Sequence, residues 1–246
     1  GGIVYDCGQN TTGYPVLKIT APAGETVTVL FSEKFLPDGR LDMTHHHGQR
    51  FMVTSDGTGR VVQPEFTWYG FRCFEVIGGA EPRGVKVVYA DLPAASAFEC
   101  DNETLNWTYK TFLHTMLCNM HTGHPSDCPH IERRGYTGDG QLTCHAALSV
   151  LDGQAFYEKW LQDIHDAMRD DGALPSVIPT HGWGYDWGHG PVSEGILFEI
   201  PYRLWLHTGD RGYINEDGNL YVSYRLEDWE NQKDTGKKLL YNKKDL

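Results

Sequence analysis

The stretch DCPHIERRGYTGDGQ, from Asp127 to Gln141, sets Asp127, Glu132 and Asp139 within thirteen positions. Pro129, Gly135 and Gly138 interrupt regular structure between them. Loops on a rigid scaffold are where catalytic groups concentrate. Clustered acids repel one another, which raises the pKa of at least one. Glycoside hydrolysis needs such a pair, one carboxyl protonated for the leaving oxygen and another ionised. The same pattern suits a solvated loop in which Arg133 and Arg134 pair with the acids and Asp139 caps a helix. Spacing alone leaves both readings open.

A second segment, GALPSVIPTHGWGYDWGHGP (172–191), carries His181, Trp183, Tyr185, Asp186, Trp187 and His189. It is long for a connection in a compact domain, and such loops are often functional. Aromatic faces beside a carboxylate suit a sugar, which offers apolar C–H faces and hydroxyls. The same aromatics would also plug the end of a helical bundle. His45, His46 and His47 form a run, and His121 and His124 lie three apart, spacings at which imidazoles can bind zinc. Consecutive residues of an extended chain point to alternate faces, however, and no HExxH or CxxC supports these histidines. No metal and no cofactor is expected. Glu33, in FSEKF, reads as an ordinary strand acid.

The elements that must position these residues change character along the chain. From Gly1 to about Pro93, VLKIT, TVTVLFSEKF, FTWYGFRCFEVIG and GVKVVYADL read as strands, separated by turn signals such as PAGE, LPDG and SDGTG. Short strands at near-regular spacing predict an antiparallel β-sandwich over residues 1–94. After Ala95 the period becomes helical. Asp101 or Asn102 is a candidate cap, and Leu105, Tyr109, Phe112, Met116 and Met120 fall on one helical face. Further helices are predicted over 139–151, 155–168, 193–207 and 213–230. Both chemistry-bearing segments fall in this helical region, 95–246.

Composition narrows the partners. The 246 residues hold 33 Asp and Glu against 21 Lys and Arg, a net charge of −12. No basic stripe is present, which argues against nucleic acid. No apolar run approaches the roughly 18 residues of a membrane span. The six cysteines show no CxxC pair and are too sparse for a disulfide scaffold, so most are expected to be buried free thiols. The opening GGIVYDCGQN shows no secretory signal. The compartment, cytoplasmic or secreted, and the oligomeric state stay open.

DCPHIERRGYTGDGQ resembles the acidic signature of the α-L-rhamnosidases of glycoside hydrolase family 78, of the form DCPxRExLGYTGD. YDCGQNTTGYPVLKITAPAGETVTVLFSEKFLPDGRLD and PEFTWYGFRCFEV look like the sandwich domain that precedes that family's catalytic domain. SAFECDNETLNWTYKTFLHTMLCNMHTGHPSDCP is similar to its first catalytic helix, and GYDWGHGPVSEGILFEIPYRLWLHTGD to its second sugar-contacting region. The resemblance implies a β-sandwich followed by part of an (α/α)6 toroid. It also implies release of terminal α-L-rhamnose with inversion. By position, Glu132 matches the general acid, while Asp127 and Asp139 match acids that hold sugar hydroxyls. Arg133, Tyr136, Asp186 and Glu194 fall at substrate-binding places. Trp183 and Trp187 match pocket walls, suited to the C6 methyl of rhamnose. Ile131 stands where Arg or Asp is common, Arg134 where Leu is common, and Glu194 where Asp is expected. The family's general base is a later glutamate, so the resemblance implies an internal fragment, inactive alone. A non-catalytic carbohydrate-binding module and a related toroid glycosidase acting on another sugar remain alternatives.

Overall fold

The computed structural model describes residues 1–45, 48–180, 182–186, 190–208, 211–214, 220–223 and 238–239. They form two compact units. One comprises Gly1–Tyr89, Leu117–His121 and Cys128–Arg133; the other comprises Ala90–Met116, Thr122–Asp127 and Arg134–Leu246.

The first unit is β-rich. Its strands are β1 (Ile3–Ile19), β2 (Thr26–Ser32), β3 (Arg50–Thr54), β4 (Val61–Val62), β5 (Tyr69–Ile77) and β6 (Ala80–Val87). They make one antiparallel sheet in the order β3-β2-β5-β1-β4, with β6 also paired to β1. The 17-residue β1 is what curls the sheet. It pairs with β5 up to Gly13 and with β6 from Gly13 to Ile19. A side chain at Gly13 would meet the Lys86 carbonyl oxygen at 1.9 Å, so only glycine allows the strand to change partners there. The inward alternation buries Leu17, Ile19, Val27, Val29, Phe31 and Phe71 in one core. Phe31 stacks on Tyr69 at 4.1 Å and tilts against Phe71 at 5.0 Å.

The second unit is helical: α1 (Glu103–Asn119), α2 (Thr137–Val150), α3 (Gln154–Ala167), α4 (Pro191–Glu194) and α5 (Ile196–Thr208). Asn102 starts α1, its Oδ1 accepting the N–H groups of Thr104 and Leu105 at 3.0 and 3.2 Å. Phe156, Tyr157, Trp160, Leu161 and Ile164 recur at helical spacing and form the buried face of α3. The Trp160 ring passes so close to α2 that a Cβ at Gly140 would lie 2.0 Å from it. The indole N–H donates to the Ile178 carbonyl at 2.8 Å.

The helix expected over 213–230 is not found. Arg211–Ile214 and Leu220–Ser223 are strands β7 and β8, paired antiparallel with Tyr221 opposite Tyr213; residues 224–230 lie outside the described residues. Tyr213, Ile214, Tyr221 and Val222 are strand formers, and Asp217-Gly218 between them is a hairpin signal. The helix expected over 193–207 is interrupted at Gly195, between α4 and α5. The cysteines are free thiols, three buried and three half-buried. Burial raises Cys73 and Cys118 to about 11 and Cys144 to about 12. No described helix is long and apolar enough to cross a membrane.

Candidate active site

The acidic signature is divided between the units. Asp127 and the residues from Arg134 onward belong to the helical unit, whereas Cys128–Arg133 belong to the β-rich unit.

In the helical unit, Asp127 and Arg134 close the base of the loop. The Asp127 N–H donates to the Arg134 carbonyl at 3.0 Å, and the Arg134 N–H returns to Asp127 Oδ1 at 2.9 Å. Oδ2 takes no bond from the described residues. Tyr136 precedes α2 and bridges Val177 of the aromatic loop. Thr137, fully buried, donates its N–H to the Ser176 carbonyl at 2.9 Å and its hydroxyl to the same oxygen at 3.2 Å. Ser176 in turn donates to the Gly184 carbonyl at 3.0 Å. These bonds join the two segments singled out in the sequence. They bring Trp183 edge-on to Tyr136, with ring centroids 6.3 Å apart, and set Arg134 over the Trp183 ring at 4.5 Å. Trp183 keeps 38% of its surface exposed. Asp139 is exposed in the first turn of α2, where the helix dipole favours an acid. It is not the cap: that position is Tyr136, which makes no side-chain capping bond.

Asp186 lies further off, towards the end of α3. Its neighbour Tyr185 donates to the Ala167 carbonyl at 2.6 Å, and Arg169, which feels the Asp186 charge, lies 5.5 Å over the Tyr185 ring. Glu194 is exposed on α4, beside the start of α2, where Val192 approaches the place of a Gly138 Cβ to 3.2 Å. Trp187, His181 and His189 lie outside the described residues.

In the β-rich unit, four contacts fasten Cys128–Arg133. Pro129 seats on Gly70, where a Cβ would meet the Pro129 carbonyl oxygen at 2.4 Å. Gln49 fixes Gly70 by donating to its carbonyl at 3.1 Å and accepting its N–H at 3.0 Å. Arg133 donates to the Trp68 carbonyl and lies 5.2 Å over the Trp68 ring. His130 Nδ1 meets Glu33 Oε1 at 3.2 Å. Between these anchors Glu132 is exposed, its N–H donating to Cys128 Sγ at 3.3 Å. Arg133 adopts φ +55, a left-handed conformation an arginine rarely takes and one that marks functional loops. Sequence reasoning missed Trp68, Gln49 and Glu33 as the holders of this loop. They lie in or beside strands, and no local pattern distinguishes a strand residue that supports a distant loop.

The histidine pair read as a possible zinc site is engaged otherwise. His121 is buried, stacked on Trp68 at 3.9 Å with Nε2 3.0 Å from the Cys118 carbonyl oxygen. Burial, and then the Lys159 charge, lower the pKa of His124. Among the described residues no three His, Cys, Asp or Glu side chains are arranged to hold a metal; His46 and His47 lie outside them.

Residues 93–240 match the model of the bacterial α-L-rhamnosidase 6 hairpin glycosidase domain, and residues 1–90 match the bacterial α-L-rhamnosidase concanavalin-like domain. The chain belongs to the bacterial α-L-rhamnosidase family. It is 28% identical over 232 residues to an α-L-rhamnosidase of Formosa agariphila, covering 87% of this chain and 24% of that protein. Among solved structures, it is similar to the α-L-rhamnosidase from Dictyoglumus thermophilum, with TM-score 0.74 and 30% identity, covering 85% of this chain and 24% of that one. It is also similar to the Streptomyces avermitilis α-L-rhamnosidase complexed with L-rhamnose, with TM-score 0.72 and 28% identity, over 85% of this chain and 21% of that one. The chain thus spans about a quarter of the length of the curated relatives it matches.

Proposed function

We propose that this chain supplies the acid and sugar-holding part of an inverting α-L-rhamnosidase. The observation that carries the reading is the Asp127–Asp139 stretch, whose acids, glycines and aromatic match the family signature residue by residue. Glu132 is the general acid. It is exposed, and its loop is fastened on both sides, so its backbone is held while its side chain faces solvent. Asp127 uses Oδ1 on its own loop and offers Oδ2 to a sugar hydroxyl. Asp139 and Glu194 are further acceptors for hydroxyls. Tyr136 and Trp183 are aromatic walls, and Trp187 is proposed from the signature alone. Arg133 acts by holding the loop against Trp68. Asp186, directed to the Arg169 side, is the weakest of the proposed substrate contacts.

In the inverting reaction Glu132 protonates the glycosidic oxygen as the bond to rhamnose breaks. A carboxylate base activates water on the opposite face of the ring, with the two carboxyls roughly 6.5–9.5 Å apart. By the resemblance, that base is expected outside this chain. Acid assistance contributes only about 10²–10⁴-fold, so this chain by itself should turn over no rhamnoside measurably. The substrate is a neutral rhamnose-terminated glycoside, in keeping with a protein of net charge −12.

The decisive experiment uses a protein that continues through the family's whole catalytic domain. A sugar is a poor leaving group and needs the proton, whereas nitrophenolate leaves readily without it. Glu132→Gln should therefore cut kcat/KM on rhamnosyl disaccharides by roughly 10²–10⁴ and harm nitrophenyl rhamnoside much less. Asp127→Asn should hurt both substrates alike, because it weakens sugar binding that any leaving group requires. Equal losses for Glu132→Gln would remove it from the acid role.

A further inference from the structure

We propose that the β-rich unit carries a saccharide subsite next to Glu132 in the chain, built from Glu33, Asp42, Lys34 and His45, which takes the neutral sugar to which rhamnose is linked. The assignment to the leaving group rests on the function proposed above; the saccharide site itself does not.

A cavity of about 220 Å³ opens in this unit, lined by Glu33, Lys34, Asp42, His45, His130 and Ile131. At roughly 30 Å³ per water it holds about seven, close to what one pyranose ring with its hydroxyls displaces. Its walls are fixed before any ligand arrives. Glu33 accepts from Asn10 Nδ2 at 2.6 Å and meets His130 at 3.2 Å. Asp42 Oδ1 accepts the Thr44 N–H at 3.0 Å, and bonds from Thr44 hold its carboxyl below the usual range, so it stays ionised. The segment from Lys34 to Asp42 folds back on itself, the Asp42 N–H donating to the Lys34 carbonyl at 3.0 Å. Ser32 pins both ends, its hydroxyl lying 2.6 Å from the Asp42 carbonyl oxygen and 3.1 Å from that of Lys34. Preorganised acceptors of this kind lower the ordering cost of binding.

The lining selects the ligand. Among the described residues its only rings are the imidazoles of His45 and His130, and no Phe, Tyr or Trp offers a broad face on which a flat aglycone would stack. It contains two carboxylates, which accept from neighbouring hydroxyls, and the Lys34 ammonium, which makes no bond or ion pair among the described residues. Two carboxylates outnumber the single fixed cation, so a uronate is disfavoured and a neutral sugar is favoured. Position selects the role. A general acid faces the oxygen between the released sugar and its leaving group. The cavity wall includes the two residues that precede the proposed acid, His130 and Ile131.

The test titrates the 246-residue chain with methyl β-D-glucopyranoside, sodium D-glucuronate and L-rhamnose, and follows the imidazole signals of His45 and His130 by NMR. The glucoside should move both signals saturably, and glucuronate should bind more weakly. Asp42→Asn and His45→Ala should each weaken glucoside binding about fivefold, the loss of one hydrogen bond. Both positions lie between β2 and β3, and an unchanged backbone amide spectrum verifies the fold of each variant. Absence of saturable shifts, tighter binding of glucuronate, or undiminished binding in both variants overturns the subsite. Turnover is not read here. A longer protein inert on rhamnosides, with a glucoside still bound by this chain, refutes only the proposed enzyme. An active protein with silent imidazoles refutes only the subsite.

Discussion

In the β-rich unit, Leu17, Val27, Val29, Phe31 and Phe71 are all 0% exposed, enclosed by a sheet that β1 curls around them. The helical unit has an equally dry layer, with Tyr157, Trp160, Ile164, Ile196 and Ile200 at 0%. Its other side differs. On α5, Ile196, Ile200 and Leu204 face inward, while Phe198, Tyr202 and Leu206 repeat at the same spacing on the opposite side with 71, 42 and 40% exposure. A helix with apolar side chains on two opposite sides expects partners on both. A sheet closes its core by curling; helices close theirs only by stacking on further helices. The signature stretch is shaped by the same need. Thr137 and Gly140 serve packing, while Glu132 and Asp139, exposed, serve no core.

The largest expected effect isolates the helical core. Trp160→Ala empties the space against Gly140 and leaves the Ile178 carbonyl without its donor. Such truncations cost about 3–5 kcal/mol. Amide exchange of α2 and α3 should accelerate strongly, with β1, β2 and β5 still protected. A single transition in which both units lose protection together would show that they do not differ in the way their cores suggest.

The α5 stripe gives the next test. Exposed apolar patches drive association, so the chain is expected to self-associate in light scattering. Replacing Phe198, Tyr202 and Leu206 together by serine should weaken association about tenfold, equivalent to ~1.4 kcal/mol. A dilution-stable monomer before substitution would contradict the reading of α5.

A smaller effect is expected where the β-rich unit holds the signature. Trp68→Ala removes the ring beneath Arg133 and the stack on His121. A cation–π contact is worth about 0.5–1 kcal/mol, so stability should fall little. Exchange at Cys128–Arg133 should rise selectively, since Arg133 would hold its left-handed conformation with less support. Uniform change across β1–β6 would mean that Trp68 supports the sheet rather than the loop.

Much of this architecture was legible in the residues. The spacing of Phe156, Tyr157, Trp160, Leu161 and Ile164 predicted α3 almost to its ends, and the strands around Phe31 and Phe71 followed from alternation. The first half of β1 was not legible. Asp6 to Thr11 contains a register shift, with Gly8 at φ +82, so turn-forming residues sit inside a strand. The β7–β8 pair was misread because its aromatic residues also fit a helical period. At the site, the acids and the aromatic loop declared themselves by composition. Their joining through Ser176 and the clasp on Trp68 did not, since both are long-range contacts between residues unremarkable in their own segments.

The smallest effect is one of pH, and it separates the units by the groups each one titrates. In the helical unit, burial and then Lys159 lower His124 from its ordinary 6.5. Burial, then His145 and Arg203, lower His207 from the same value. A histidine with a lowered folded pKa takes up more protons when unfolded. Its contribution is therefore intact above pH 6.5 and is lost as pH falls from there through the folded pKa. In the β-rich unit the groups with a shift assigned in the acid range are aspartates. Bonds from Arg72 lower Asp6, bonds from Arg40 lower Asp38, and bonds from Thr58 lower Asp56, each from 3.8. These contributions persist above pH 3.8 and are lost only below it. Acidification from pH 7 to 5 should thus raise amide exchange, corrected for its intrinsic pH dependence, in α2, α3 and α5 while β1–β6 hold. The effect is modest because His207 is largely exposed and its charge is screened by water. His124→Gln, which cannot gain the buried charge, should abolish part of that loss. Equal loss in the two units over this range, or no change in the helices, would show that His124 and His207 do not set the acid sensitivity of the helical unit.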